Sequence, residues 1–262
     1  MAEITIGMEA KMRRISAGIL FILGLVAATA WADDFWTKKN WKEWNKAECN
    51  KILEDSPWAK RQLVQNSSAL TSQPSASHDA SLSPNIGGVG NLGAGEITYR
   101  IRFLSAEPIR DAMVRLEQLA KDYDKMTDEQ KKAFDAQMDQ KMGKLRADSI
   151  LVHVIFEGNS ASLKSFLAQY WEGFQGDAIP PDVYLTTDSG TRVLPLSYTI
   201  KIAENEFDLV FPRTQNNQPI VAPGAKSIKL MIKSPKILDF SAKVFTIEFK
   251  LDKMSFGGKV EY

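Results

Sequence analysis

Three segments near the C-terminus alternate with strict period two: Phe207, Leu209 and Phe211; Ile228, Leu230 and Ile232; Phe245, Ile247, Phe249 and Leu251. In the last two, Lys229 and Lys233, and then Thr246, Glu248 and Lys250, lie on the opposite face. Successive strand side chains point to opposite faces, so these are antiparallel strands with one packed face and one wetted face. Several such strands in one chain need a second layer to cover the apolar face. The economical arrangement is a sandwich-like stack of sheets. "VYLTTDSGTRVLPL", from Val183 to Leu196, adds a hairpin with a glycine-containing turn.

Upstream the periodicity mixes. "ITYRIRFL" alternates Ile97, Tyr99, Ile101 and Phe103 against Thr98, Arg100 and Arg102, a strand with one wet face. Ile109, Ala112, Met113, Leu116, Leu119, Ala120 and Tyr123 then recur at helical spacing, with Pro108 in the first turn, where proline is tolerated. Thr127 and Gln130 have capping-box spacing and open a second helix to about Leu145. Its apolar face, Phe134, Met138, Met142 and Leu145, is thin, as in a mostly solvated helix. "ILVHVIF" reads as a central strand covered on both faces. A third helix, from about Ser160 to Gly173, gathers Leu163, Phe166, Leu167, Tyr170 and Trp171 on one side. Residues 96–262 are therefore expected to form an α+β main domain, an antiparallel β-sandwich-like body with three helices, its helices within 105–173 and its antiparallel strands within 182–262.

The N-terminal third has a different character. Arg13-Arg14 precede an apolar run from Ile15 to Ala30 that ends in Ala30-Trp31-Ala32, the small-x-small pattern of a signal peptidase site. Residues 1–32 are expected to be a signal peptide, cut between Ala32 and Asp33. Glu3 and Glu9 are unusual in a leader and make Met12 a second candidate start. The alternative, an uncleaved anchor, would need ~20 apolar residues, and the run is shorter. Residues 33–65 read as a tryptophan-rich helical segment. Trp41, Trp44, Cys49, Ile52 and Leu53 fall on one half of a helical wheel, and "WAKRQLVQ" after Ser56-Pro57 reads as a second short helix. Residues 66–95, rich in Ser, Gly, Ala and Pro, cannot bury enough apolar area to offset ordering of the backbone and read as a flexible linker.

Several chemistries are disfavoured. The chain carries 33 basic and 32 acidic residues, and the leader would remove some of each sign, so the near-neutral chain is a poor candidate for nucleic-acid binding. Gly88 to Gly93 fits G-x-G-x-x-G, but a Ser/Pro-rich stretch precedes it and a strand follows, the reverse of the strand–loop–helix context a dinucleotide site needs. The two histidines, His78 and His153, lack partners at metal-ligand spacing. The acidic cluster at Asp122, Asp124, Asp128 and Glu129 misses the glycine and glutamate positions of a calcium loop. Neither a cofactor nor a metal is expected. The single cysteine, Cys49, is either a small buried apolar side chain or a thiol able to link two chains.

The tryptophans carry the functional reading. Trp36, Trp41, Trp44 and Trp58 crowd into one short segment. Each ring hides ~200 Å², which at ~25 cal/mol per Å² is an upper bound of ~5 kcal/mol apiece. Four rings left in water would form a patch that soluble proteins avoid unless it is a site. These four are the candidate partner-binding residues. Three covers are open to them: the chain's own main domain, a protein partner or second copy in the cell envelope, and a membrane or polysaccharide surface. Lys38, Lys39, Lys42 and Lys46 between the rings suit the last.

"WKEWNKAECNKILEDSPWA", with "YRIRFLSAEPIRDA", "DVYLTTDSGTRVLPL", "FDLVFPR" and "FKLDKMSFGGKVEY", resembles exported bacterial proteins related to the GWxTD-domain group. The resemblance spans nearly the whole chain after the leader. It implies export and an α-plus-β architecture, and brings no catalytic residues with it. The expectation is an exported, periplasmic or extracellular, non-enzymatic structural or binding module. The rival is an envelope hydrolase whose carboxylates meet only in the fold.

Overall fold

The computed structural model describes residues 35–65, 95–143, 145, 149–174, 179–180, 182–235 and 244–262. The expected leader with Ala32 and Asp33, nearly all of the Ser/Gly-rich linker, the Gly88–Gly93 motif and His78 lie outside these residues. The chain divides into two compact units, Met1–Asn40 and Trp41–Tyr262. The described part of the first holds one helical turn, α1 (Phe35–Lys38), in which Trp36 is buried and the Phe35 and Trp36 rings meet edge to face at 5.2 Å.

The second unit is α+β. Its larger sheet has five antiparallel strands in the order β1 (Ala59–Gln65), β2 (Glu96–Phe103), β3 (Ser149–Gly158), β7 (Glu206–Pro212), β6 (Ser197–Lys201). The smaller has four, in the order β11 (Val244–Lys250), β10 (Ser227–Lys233), β4 (Tyr184–Thr187), β5 (Arg192–Val193), again antiparallel throughout. Two short ribbons, β8–β9 (Thr214–Gln215 with Gln218–Pro219) and β12–β13 (Ser255–Phe256 with Lys259–Val260), complete the strands. The hairpin expected from the glycine-containing turn is β4–β5, with Gly190 in the left-handed region at φ 75°.

The two sheets meet through the alternating residues. Tyr99 of β2 lies 5.0 Å from Phe245 of β11, and Phe103 lies 4.7 Å from Phe249 in an edge-to-face pair. Helix α5 (Ala161–Glu172), capped by the Ser160 hydroxyl on the Leu163 amide, lowers Trp171 onto the same layer. Its ring contacts Tyr99, Phe156 and Phe207. Burial in this layer pushes the Tyr99 hydroxyl well above the ordinary phenol range.

Three further helices frame the sheet. Helix α2 (Lys46–Glu54) opens with a full capping box. The Asn45 side chain accepts the Glu48 amide at 2.9 Å, while the Glu48 carboxylate accepts the Asn45 amide at 2.7 Å. It buries Cys49, Ile52 and Leu53, so Cys49 is the buried apolar residue of the two alternatives. Helices α3 (Glu107–Ala120) and α4 (Asp128–Gly143) follow, with Pro108 in the first turn of α3 and the reciprocal Thr127–Gln130 cap on α4. The thin apolar face of α4 is buried through Phe134, Met138 and Met142.

One element departs from expectation. "WAKRQLVQ" does not form a helix. Residues 59–65 are strand β1, paired residue for residue with β2 from Ala59 opposite Arg102 to Gln65 opposite Glu96. Lys, Arg, Gln and Leu favour a helix locally, but the backbone groups of β1 are taken up by a strand that follows the 66–95 stretch. Ser56 marks the switch. Its hydroxyl donates to the Ile52 carbonyl at the end of α2 and accepts the Trp58 amide at the start of the strand. The tryptophan segment from Trp41 onward therefore belongs to the same compact unit as the sheets.

Candidate binding groove

Trp44 and Trp58 are fully buried, each at 0% exposure. Both make edge-to-face pairs with one ring, Phe256 of β12, with centroids at 6.3 Å and 6.2 Å and interplanar angles of 67° and 88°. The Trp58 indole N–H donates to the Glu261 carbonyl at 3.0 Å. Glu261 also accepts the Glu107 amide at the start of α3, and Lys259 bridges Glu107 and Glu261 at 3.2 and 2.9 Å. Hydrogen bonds to these two carboxylates raise the Lys259 ammonium above its usual range. Arg213 closes the end of the chain, donating to the Tyr262 carbonyl at 2.7 Å with its guanidinium over the Tyr262 ring. The C-terminal ribbon is thus a strap across Trp44 and Trp58.

Trp41 is placed differently. It sits in a 3-10 turn, Trp41–Glu43, whose Trp41 carbonyl accepts the Trp44 amide at 3.1 Å. Among the five described tryptophans it alone is not buried. It forms one end of a cavity of about 340 Å³ between α3 and α4. Each helix contributes a stripe at the i, i+3, i+4, i+7 spacing of a single face. Asp111, Val114, Arg115 and Gln118 come from α3, and Asp135, Met138, Asp139 and Met142 from α4. Lys42, Arg110, Tyr123 and Asp124 complete the rim.

Much of this polar lining is held before any ligand arrives. Arg115 donates through Nε to the Trp44 carbonyl at 3.0 Å and through Nη1 to Gln118 Oε1 at 3.1 Å. Gln118 is itself 5% exposed. Arg110, also buried, donates to the Ser105 carbonyl. The Tyr123 hydroxyl reaches both oxygens of Asp135, at 2.8 and 3.0 Å, and that carboxylate raises the phenol above its ordinary pKa. Sequence reasoning placed Trp41 among the site residues but missed the two helical stripes. They mix polar residues with Val114, Met138 and Met142, and in sequence the two methionines read as part of the thin apolar face of α4 rather than as a cavity wall. The acidic hairpin it did single out contributes Asp124.

A second cluster lies on the outer face of the larger sheet. Cross-strand register sets His153 of β3 opposite Asp208 of β7 and beside Glu206. The ring engages Asp208 through Nδ1 at 2.7 Å and Glu206 through Nε2 at 3.3 Å. Lys201 closes on Glu206 at 2.7 Å, a hydrogen bond that raises the lysine pKa. His153 is buried with both ring nitrogens engaged, the satisfied histidine expected from its strand. Neighbouring Arg102 is held below its usual pKa, first by burial and then by the charge of Arg100. Among the described residues no group of three or more His, Cys, Asp or Glu side chains could hold a metal ion, and no helix is long and apolar enough to cross a membrane.

Comparison of the chain with protein-family models, with curated proteins and with solved structures returns no match.

Proposed function

We propose that this chain is an exported, non-enzymatic binding module of the cell envelope. In this reading the tryptophan segment serves two ends. Trp44 and Trp58 anchor it to the chain's own C-terminal strap, and Trp41 faces a ligand in the groove between α3 and α4. The observation that supports it is the contrast in burial: two rings at 0% exposure under Phe256, and one left partly exposed on the wall of a preorganised cavity. The resemblance to GWxTD-related exported proteins and the leader pattern at Ala30–Ala32 support the envelope location.

The test is site-specific photocrosslinking in the native cell, combined with N-terminal sequencing. The reading expects a processed chain beginning at Asp33 and discrete adducts from a photoreactive residue at position 41. The same probe on Leu196, an exposed residue away from the groove, is expected to give none. An unprocessed chain confined to the cytoplasm, or equal adducts from both positions, refutes it.

A further inference from the structure

The lining of the Trp41 groove constrains the charge of what it can hold. Three cations, Lys42, Arg110 and Arg115, face four carboxylates, Asp111, Asp124, Asp135 and Asp139. With both signs present in nearly equal number, an anion or a cation meets repulsion from one set of groups that offsets its attraction to the other. A neutral ligand rich in hydroxyls avoids that repulsion. The α3 wall offers planar donors through Arg115, and the α4 wall offers acceptors through Asp135 and Asp139. A sugar hydroxyl donates and accepts at once, so adjacent hydroxyls can bridge the two walls. The apolar C–H face of a pyranose needs a flat partner, which Trp41 supplies with the Lys42 ammonium 5.7 Å from its ring centroid, while the buried Met138 and Met142 give the cavity apolar lining. The cavity falls at the low end of the ~300–1,000 Å³ range of small-ligand sites, and its fixed side chains reduce the ordering cost of binding.

From this geometry we infer that the groove binds a neutral oligosaccharide, with Trp41 as the stacking platform and Asp135, Asp139 and Arg115 as the hydroxyl-reading groups. This rests on the functional reading above, narrowing it to a ligand class.

The experiment is calorimetric titration of the purified whole chain with neutral tetrasaccharides of N-acetylglucosamine, glucose and mannose. Tetragalacturonate serves as the anionic comparison and tetralysine as the cationic one. At least one neutral tetramer is expected to bind with a Kd of about 1 mM or tighter, and both charged probes more weakly. Trp41→Ala should weaken that binding about tenfold or more, and Trp41→Phe less. Asp135→Asn, which keeps the shape of the side chain, should weaken it about threefold or more with the thermal unfolding midpoint retained. Absence of binding by every neutral tetramer, tighter binding of either charged probe, or unchanged affinity in Trp41→Ala overturns the inference. If the sugars fail while crosslinks from position 41 persist, the ligand class is wrong and the binding-module reading stands. If the crosslinks fail as well, both fall.

Discussion

Trp44 and Trp41 are separated by a single 3-10 turn, yet one is sealed and the other stays wet. The difference lies in what the remainder of the chain brings to each. Trp44 and Trp58 both meet Phe256, and Trp58 also meets Glu261, residues roughly two hundred positions away in sequence. Trp41 meets the polar stripes of α3 and α4, which leave a cavity where a core would be filled. A tryptophan-rich segment thus need not be a single kind of surface. In the reading proposed here, the rings that hold the segment in place and the ring that meets a ligand are neighbours, and the rigidity of the first fixes the position of the second.

The largest effect should come from the sealed side. Trp58→Ala removes a fully buried ring and its N–H donor to the Glu261 carbonyl, and leaves Phe256 facing a cavity. The expected cost is about 3–5 kcal/mol in urea unfolding. A loss under about 1 kcal/mol would mean that the strap contributes little. Phe256→Ala comes next, at about 2 kcal/mol, because that ring is itself half-exposed while touching both tryptophans. The two changes should couple. A double-mutant cycle is expected to return about 0.5–1.5 kcal/mol of interaction, and simple additivity would show that the ring contacts are incidental.

The two regions were not equally legible in the sequence. The strands β7, β10 and β11 could be read directly, because Phe207–Phe211, Ile228–Ile232 and Val244–Lys250 sit at the period of the pleat with one face buried. The start of α4 was equally plain from Thr127 and Gln130. Strand β1 was not. Its buried residues, Ala59 and Val64, show no alternation, and its identity comes from pairing with β2 across the 66–95 stretch, a non-local contribution that outweighs local helix propensity. The cover of Trp44 and Trp58 was hidden for the same reason: nothing near them in sequence points to Phe256 or Glu261. The groove was hidden for a different one. A helix stripe such as Asp135, Met138, Asp139 and Met142 looks the same in sequence whether it faces solvent or a facing wall, and only the placement of α3 against α4 turns it into a site.

Arg115 lies on the border and can sharpen the contrast. Its Nε ties the Trp44 carbonyl to α3 while Nη1 orders Gln118 in the groove. Arg115→Lys keeps the charge but loses the planar fork that makes both bonds. We expect a stability loss of about 1 kcal/mol, below that of either ring truncation. The same change should loosen the Trp41 turn, seen as faster amide hydrogen exchange at Trp44, whose N–H donates to Trp41. Unchanged exchange there would mean that the sealed side does not position the open side.

The smallest stability effect is expected at Trp41 itself, which makes it the cleanest reporter. A partly exposed ring on a cavity wall packs less tightly than Trp44 or Trp58, and phenylalanine keeps most of its contact, so Trp41→Phe should change unfolding by no more than about 0.5 kcal/mol. Its spectroscopic effect should be large. Trp36, Trp44, Trp58 and Trp171 are all buried, so in a Trp31→Phe background the iodide-quenchable fluorescence comes mainly from Trp41. Adding Trp41→Phe to that background should remove most of the quenchable fraction and shift the remaining emission to the blue. Persistent quenching after the second change would mean that the strap opens in solution and exposes Trp44 or Trp58. The division between anchor and platform would then describe one state of the segment rather than its resting arrangement.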